Sequence, residues 1–189
     1  DFVQWKEINT TTNITIINDM TTSNEDRLGA IGDIQYAIDY AKIDDDVLII
    51  GGDNLFEDNL INFIDFFKMN GSCILLNDVK SLELAKLYGN VTVDEGNRIT
   101  NFVEKPENPE STLAATLIYA IKREHIPLIR AVLNLGLADH SGDFIKFLSE
   151  NEHISALLLE GTWFDIGSLD QLHEANESFR NLIKPQNFT

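Results

Sequence analysis

The chain has 189 residues, of which 31 are Asp or Glu and 14 are Lys or Arg, so its formal net charge is −17. Such an acidic chain is a poor partner for nucleic acid or for an anionic membrane, because both are bound through Lys and Arg. Its length predicts one domain, its apolar runs are far shorter than the ~18 residues of a membrane span, and its single cysteine excludes a disulfide framework.

The first half of the chain alternates predicted strands and helices. The predicted elements are a β-branched strand over 14–18, a helix over 33–41, a strand over 47–50, a helix over 60–69 capped by Asp58 or Asn59, a strand over 73–77 and a short helix over 82–87. Apolar residues three and four apart indicate the helices. The continuous apolar run VLII at 47–50 is typical of strands buried on both faces, and Cys73 is predicted to be a buried thiol.

The second half begins with a predicted hairpin. Its strands over 90–94 and 98–103 flank Glu95-Gly96-Asn97, where glycine is expected to supply the turn. The remaining predictions are a strand over 113–121, helices over 124–134 and 143–151, extended segments over 154–159 and 163–166, and a helix capped by Ser168 that runs to about 182 and stops before Pro185. This alternation indicates an α/β layered fold, and the hairpin makes its sheet mixed.

Two acidic residues lie at the ends of predicted strands, where ligands often bind. The segment GGDN at 51–54 follows a predicted strand directly, and ligands of α/β sheets bind at the carboxyl ends of strands. Asp53 there is a natural ligand for Mg²⁺, which prefers oxygen donors and substrate phosphates. Asp165 occupies a similar place in the segment WFDIG, and two such carboxylates could share one ion. The alternatives are that Asp53 only caps the next helix and that Asp165 only forms a turn.

Two further segments offer groups for a substrate. In FVEKP at 102–106, Glu104 could bind a sugar hydroxyl and Lys105 a phosphate, although a solvated ion pair explains the same residues. The segment LGAIG at 28–32 leads into a helix, so its free N–H groups could meet a base or a phosphate. It lacks the G-x-G-x-x-G and Walker spacings, which makes it a weak signal by itself.

Taken in order, these segments resemble one enzyme family. The series LGAIGD, VLIIGGDNLF, YGNVTVDEGNRITNFVEKPENPES, LAATLIYA and GTWFDIGSLDQLHEAN, from about 27 to 176, is similar to the sugar-1-phosphate nucleotidylyltransferases, in particular the glucose-1-phosphate thymidylyltransferases and related uridylyl enzymes. The resemblance implies transfer of a nucleotidyl group from a nucleoside triphosphate to a sugar 1-phosphate. The favoured substrates are dTTP or UTP as the nucleotide and glucose 1-phosphate as the sugar. Pyrophosphate is released, a nucleotide sugar forms, and Mg²⁺ is the implied cofactor. The implied fold is a Rossmann-like three-layer α/β/α architecture with a mixed, mainly parallel sheet.

The resemblance also implies catalytic roles for the charged residues. Asp53 and Asp165 match the two Mg²⁺ ligands of the family. Glu104 matches the residue that binds the hexose hydroxyls, and Lys105 matches the group that binds the sugar phosphate. Asp53, Lys105 and Asp165 are therefore the predicted catalytic residues, and catalysis is predicted to combine positioning with electrostatic stabilisation.

Four residues without charge are implied in substrate binding. Leu28 and Gly29 match the segment that contacts the nucleobase. Tyr88 and Gly89 match a Tyr-Gly pair that lines the sugar site. The implied partners are the nucleoside triphosphate and the sugar 1-phosphate, and the sequence leaves open whether the chain forms a homo-oligomer. Because no targeting segment is found in it, we expect a cytoplasmic protein.

The chain departs from the family at two places. The family usually has glycine in a T-G-I-Y run where this chain has Leu117, and we expect the leucine to crowd the sugar site. The family also opens with a strand and a loop, G-x-G-T-R, that cradles the triphosphate, and no segment here matches it. We therefore expect N-terminal strands of the domain to be missing, their neighbours' edges to be open to mispairing, and these 189 residues alone to lack transferase activity. The alternative function is a non-catalytic, nucleotide-sugar-binding regulatory subunit on the same fold.

Overall fold

The computed structural model describes residues 2–9, 13–137 and 139–182. Its helices are α1 Phe2–Ile8, α2 Gly29–Ala41, α3 Ile61–Asn70, α4 Leu82–Ala85, a 3₁₀ turn Arg123–His125, α5 Pro127–Asn134, α6 Ser141–Asn151 and α7 Leu169–Leu182. Its strands are β1 Val47–Ile50, β2 Asn54–Phe56, β3 Cys73–Asp78, β4 Gly89–Val93, β5 Ile99–Glu104, β6 Leu113–Ile121, β7 Ser155–Leu158 and β8 Trp163–Asp165. None of the helices in the described part of the chain has the length and apolar character that a bilayer crossing requires.

Strand β6 is the centre of a six-stranded mixed sheet. One edge of β6 pairs with β3, and the other edge pairs first with β4 and then with β1. Strand β5 lies beyond β4 and β7 beyond β3, so the order is β5-β4-β6-β3-β7 with β1 beside β6. The predicted mixed sheet is confirmed, and β1, β3, β4 and β7 run in one direction. The pairing is nevertheless mostly antiparallel, because the reversed strand β6 lies between them and only β3 and β7 pair in parallel.

Helices cover both faces of this sheet, which gives the predicted three layers. On one face α2, α5 and α6 bury Ile31, Ile129 and Ile145 against the sheet. On the other face α3 packs Phe63 and Phe67 against β3, β6 and β7. Strand β3 serves both cores, since its successive side chains point to opposite faces.

Cys73 belongs to the core on the α3 side of the sheet. It is fully buried, and its burial raises the pKa of the thiol to about 12. The thiol therefore stays protonated at neutral pH, and the prediction of a plain buried cysteine is confirmed.

Two of the predicted strands behave differently in the structure. The prediction of a strand over 14–18 is wrong, because the described residues 13–22 adopt no regular secondary structure. A β-branched run forms a strand only where a neighbouring strand pairs with it, and this run pairs with none of the described strands. Strand β1 forms as predicted, but Leu48 and Ile50 are 42% and 43% exposed, so it is not buried on both faces. Among the described strands, β1 pairs only with β6.

The turns add two smaller corrections. In the β4–β5 hairpin it is Asn97, not Gly96, that takes the left-handed conformation, with φ of +62°. The helix predicted over 124–134 is split, because Pro127 begins α5 after the 3₁₀ turn. The predicted cap of the last helix is confirmed, since the Gln171 N–H donates to the Ser168 hydroxyl over 3.2 Å. Pro185 lies outside the described residues.

Candidate functional site

A cleft of about 170 Å³ lies where the large sheet meets the short β2–β8 sheet. Its walls come from the ends of strands, from the middle of β6 and from the start of α6. The polar and glycine residues that line it are Asp53, Asn54, Tyr88, Gly89, Glu104, Lys105, Thr116, Ser141, Gly142 and Asp165. A larger cavity of about 530 Å³ between α1 and α2 is lined mainly by apolar side chains and contains none of the predicted site residues.

Asp53 and Asp165 lie side by side in this cleft because β2 and β8 pair. Asn54 is the register partner of Asp165 in this antiparallel pair, which we call the β2–β8 ribbon. The Ile166 N–H donates to the Asp53 carbonyl over 2.9 Å, so the backbone holds the two acidic residues together. Two residues far apart in the sequence thus face one space, as the predicted shared metal site requires.

The electrostatics of the pair favour a cation. Burial and the negative charge of Asp53 raise the pKa of the Asp165 carboxyl, and the positive charge of Lys105 acts in the opposite direction. Within residues 2–9, 13–137 and 139–182, no group of three or more acidic, His or Cys side chains could hold a metal ion. A site with two carboxylates suits Mg²⁺, which keeps several waters and binds substrate phosphates as its other ligands.

Glu104 and Lys105 approach the same cleft from the end of β5. Lys105 takes φ of +43°, and its N–H donates to the Tyr88 carbonyl over 3.1 Å, so the chain turns sharply there. Glu104 is half-buried. Its burial raises the pKa of the carboxyl, the charges of His140 and Lys105 lower it, and that of Asp143 raises it. No ion pair within 4 Å engages Lys105 in the described part of the chain, so its ammonium group is available for an anion.

Two glycines allow the close packing around Glu104. A Cβ atom on Gly89 would lie 2.6 Å from the Phe102 ring and 3.2 Å from the Glu104 carboxylate. A Cβ atom on Gly142 would lie 2.6 Å from the same ring and 2.7 Å from the same carboxylate. Any larger residue at Gly142 would therefore displace Phe102 and Glu104.

Aromatic side chains form another wall of the cleft. The rings of Tyr88 and Trp163 meet edge to face with centroids 5.4 Å apart. The Trp163 indole N–H donates to the Asn54 side-chain oxygen over 2.6 Å, which fixes the ring beside the ribbon. Burial and the charges of Asp165 and Glu174 raise the pKa of the Tyr88 hydroxyl, so it remains a neutral hydrogen-bonding group.

Leu28 and Gly29 are not among the residues that line the cleft. Gly29 is the buried first residue of α2, with φ of +75°. The Arg27 guanidinium lies 3.2 Å from the Asp139 carboxylate, which places the start of α2 near the segment that leads into α6. Their predicted contact with a nucleobase stays a prediction.

Sequence reasoning missed part of the cleft. Ser141 and Gly142 lie in it through tertiary packing, and no spacing in the sequence brings them there. Asn54 and Trp163 belong to the segments GGDN and WFDIG, but no role was predicted for either side chain. Gly142 lies just before the helix predicted over 143–151, so no local signal marked it, whereas in the structure it belongs to the first turn of α6.

Comparison with known proteins shows the family of the chain. The nucleotidyl transferase family model matches residues 3–181. The bifunctional protein GlmU of Methanocaldococcus jannaschii is 33% identical over 136 residues, which are 71% of this chain and 32% of that protein. The chain thus spans about a third of the length of this curated relative.

Solved structures show the same fold. One, assigned as a glucose-1-phosphate thymidylyltransferase from Bacillus anthracis in complex with sucrose, has a TM-score of 0.71 and 22% identity over 82% of this chain and 63% of that chain. An apo UDP-glucose pyrophosphorylase has a TM-score of 0.71 and 19% identity over 83% of this chain and 62% of that chain. A UDP-glucose pyrophosphorylase complexed with UDP-glucose has a TM-score of 0.71 and 19% identity over 82% of this chain and 64% of that chain. The predicted resemblance is confirmed, and the chain belongs to the nucleotidyl transferase family.

Proposed function

We propose that the cleft is the acceptor and metal part of a site that transfers a nucleotidyl group from dTTP or UTP to glucose 1-phosphate. The observation that carries the proposal is the convergence on one cleft of two acidic residues, a half-buried Glu and a Lys that forms no ion pair in the described part of the chain. The names of the structural relatives support a sugar 1-phosphate as acceptor. We propose that the protein acts in the cytoplasm.

The residues of the ribbon fit Mg²⁺. Asp53 and Asp165 would hold the ion by their carboxylate oxygens, and the repulsion between them is relieved when a cation lies beside both. When bound, the ion supplies charge neutralisation of phosphate oxygens and orients them. The donors are hard oxygens, which suits Mg²⁺ better than a metal that prefers sulfur or imidazole.

Lys105 and Glu104 act on the acceptor. The Lys105 ammonium would bind the phosphate of the sugar 1-phosphate and hold one of its oxygens in line with the α-phosphorus of the nucleotide. That oxygen forms the new P–O bond, the bond from the α-phosphorus to the bridging oxygen breaks, and pyrophosphate leaves with the electron pair. Glu104 would accept hydrogen bonds from hexose hydroxyls, and its partial burial strengthens them.

The nucleobase part of the site is also a proposal. Leu28 and Gly29 at the start of α2 would contact the base, and the ion pair of Arg27 with Asp139 supports a place for them beside the start of α6. Ser141 and Gly142 of α6 line the cleft.

Ligand titration tests the proposed function. We expect the chain, with Mg²⁺, to bind glucose 1-phosphate and either dTDP-glucose or UDP-glucose, with the two kinds of ligand competing. Absence of binding by all three would contradict the proposal. A pyrophosphate-release assay on the complete reading frame then separates an enzyme from the regulatory alternative, which would bind without turnover. The same assay on the 189 residues alone tests the prediction that they lack activity without the G-x-G-T-R loop.

Substituting Gly142 by Ala is expected to weaken binding of glucose 1-phosphate by about tenfold. The added methyl would lie 2.6 Å from Phe102 and 2.7 Å from the Glu104 carboxylate, so Glu104 must move away from the acceptor, and loss of one hydrogen bond to a charged group costs about 1.5–3 kcal/mol. Calorimetric titration measures the effect. Gly96→Ala in the β4–β5 turn is the matched control, since its methyl would meet only the nearby Asp94. Equal affinities for the wild type and Gly142→Ala would show that Glu104 does not bind the acceptor.

A further inference from the structure

Leu117 lies at an irregularity of the central strand β6. The register of β6 against β3 shifts there, with Ile74 opposite Tyr119 and Leu76 opposite Ala115. Three residues of β6 thus face a single residue of β3, which is a bulge. Bulges next to active sites redirect a side chain out of the regular alternation.

The backbone of Leu117 is held in an unfavourable conformation. Its φ is +56°, in the left-handed region that glycine adopts easily and leucine rarely does. The Gly51 N–H donates to the Leu117 carbonyl over 2.9 Å, which ties the bulge to the end of β1. Strain of this kind in a folded protein is a reason to look for a function of the residue.

The side chain of Leu117 lines the cleft. A Cβ atom on Gly51 would lie 2.5 Å from its Cδ2 atom and 2.9 Å from an Asp53 carboxylate oxygen. The leucine methyl groups therefore occupy space beside Asp53, one of the two proposed metal ligands. The cleft holds about 170 Å³, less than the ~300 Å³ at the lower end of ordinary ligand sites.

We propose that Leu117 is a specificity-determining residue, which limits the acceptor to a hexose 1-phosphate that carries only hydroxyl groups. Its methyl groups fill the space that a larger ring substituent, such as an acetamido group, would need. They also offer no hydrogen bond to the nitrogen and oxygen of that group. This inference rests on the proposed function, because it assumes that the acceptor sugar occupies the cleft.

Removal of the side chain tests the inference. Leu117→Gly and Leu117→Ala are compared with the wild type by titration with glucose 1-phosphate and N-acetylglucosamine 1-phosphate in the presence of Mg²⁺. We expect the wild type to prefer glucose 1-phosphate and both variants to lower that preference at least about tenfold, the range that steric differences of this size produce. Both variants lose the packing of Leu117 against the core, but glycine suits the positive φ, so we expect Leu117→Gly to be no less stable than Leu117→Ala.

Leu60 supplies a matched control. It also has a positive φ, +60°, but it lies at the start of α3, packs against the core on that side and does not line the cleft. Leu60→Gly relieves the same kind of strain and is expected to leave the ratio of the two affinities unchanged.

The outcomes separate the two proposals. An unchanged ratio in both Leu117 variants, with glucose 1-phosphate still bound, overturns the inference and leaves the proposed function intact. A wild type that binds both esters equally well also overturns it. If neither ester binds to the wild type or to the variants, the acceptor part of the proposed function fails together with the inference.

Discussion

Asp165→Asn is expected to abolish Mg²⁺-dependent binding of the nucleotide sugar while raising the thermal midpoint of the metal-free protein at pH 7. Burial and the charge of Asp53 raise the pKa of Asp165, so ionised Asp165 destabilises the fold. A neutral amide of the same shape removes that repulsion. It also removes one of the two charged groups that would hold the ion, so we expect binding that depends on Mg²⁺ to be lost.

The effect on stability has a defined pH dependence. Because the folded pKa of Asp165 is raised, the folded protein holds this proton more tightly than the unfolded chain. The wild type is therefore destabilised above the folded pKa and recovers as the pH falls through it. The advantage of Asp165→Asn should be complete above the raised folded pKa and vanish below the ordinary Asp pKa of about 3.9.

Thermal unfolding with and without Mg²⁺ measures both parts of this prediction. Mg²⁺ should raise the midpoint of the wild type, since a ligand that binds only the folded state stabilises it by about 2.7 kcal/mol at 100 times its Kd. It should not raise that of Asp165→Asn. Asp45→Asn, at an exposed acidic residue in the turn before β1, is the control for a change of charge alone. A full Mg²⁺ response in Asp165→Asn would show that the metal binds elsewhere.

Lys105→Ala is expected to weaken binding of the sugar 1-phosphate by about 10- to 100-fold and to change nucleotide binding much less. A hydrogen bond to a charged group contributes about 1.5–3 kcal/mol, and the described structure places no competing carboxylate within 4 Å of this ammonium group. Alanine at this position keeps a Cβ atom and the same positive φ. The comparison therefore isolates the side chain from the backbone turn.

The two substrates are titrated separately to measure this difference. Lys86→Ala serves as the control, because Lys86 pairs with Glu83 on α4 and does not line the cleft. If Lys105→Ala weakens binding of the nucleotide and of the sugar 1-phosphate equally, the residue does not act on the acceptor phosphate.

Local sequence pattern predicted some elements well and failed where neighbours decide the structure. Strand β6 was predicted over its full range, 113–121, because its long apolar run fits a buried central strand. The run at 14–18 has similar β-branched residues but pairs with no described strand, so propensity alone was misleading. The exposure of Leu48 depends on whether another element covers that face of β1, which the residues of β1 do not reveal.

The candidate site was predictable in part for a related reason. Asp53 follows one extended segment and Asp165 ends another, which predicted that both lie at the carboxyl ends of strands, where ligands of α/β sheets bind. From the residues alone, a shared ion was one possibility beside capping and turn roles, and only the family resemblance made it an expectation, since the pairing of β2 with β8 joins segments about 110 residues apart. The contact of Gly142 with Glu104 depends on how α6 packs on β5, which no local pattern encodes.

The β2–β8 ribbon has a consequence for how such a protein can diversify. The two proposed metal ligands, Asp53 and Asp165, lie on or next to this small two-stranded unit. The residues proposed to contact the acceptor sugar lie on or next to β5 and β6 of the large sheet, which form the acceptor wall. Substitutions in the acceptor wall can therefore change which sugar is accepted without altering the spacing of Asp53 and Asp165. Evolution can try new acceptors on one structural unit while the two proposed metal ligands stay on the other.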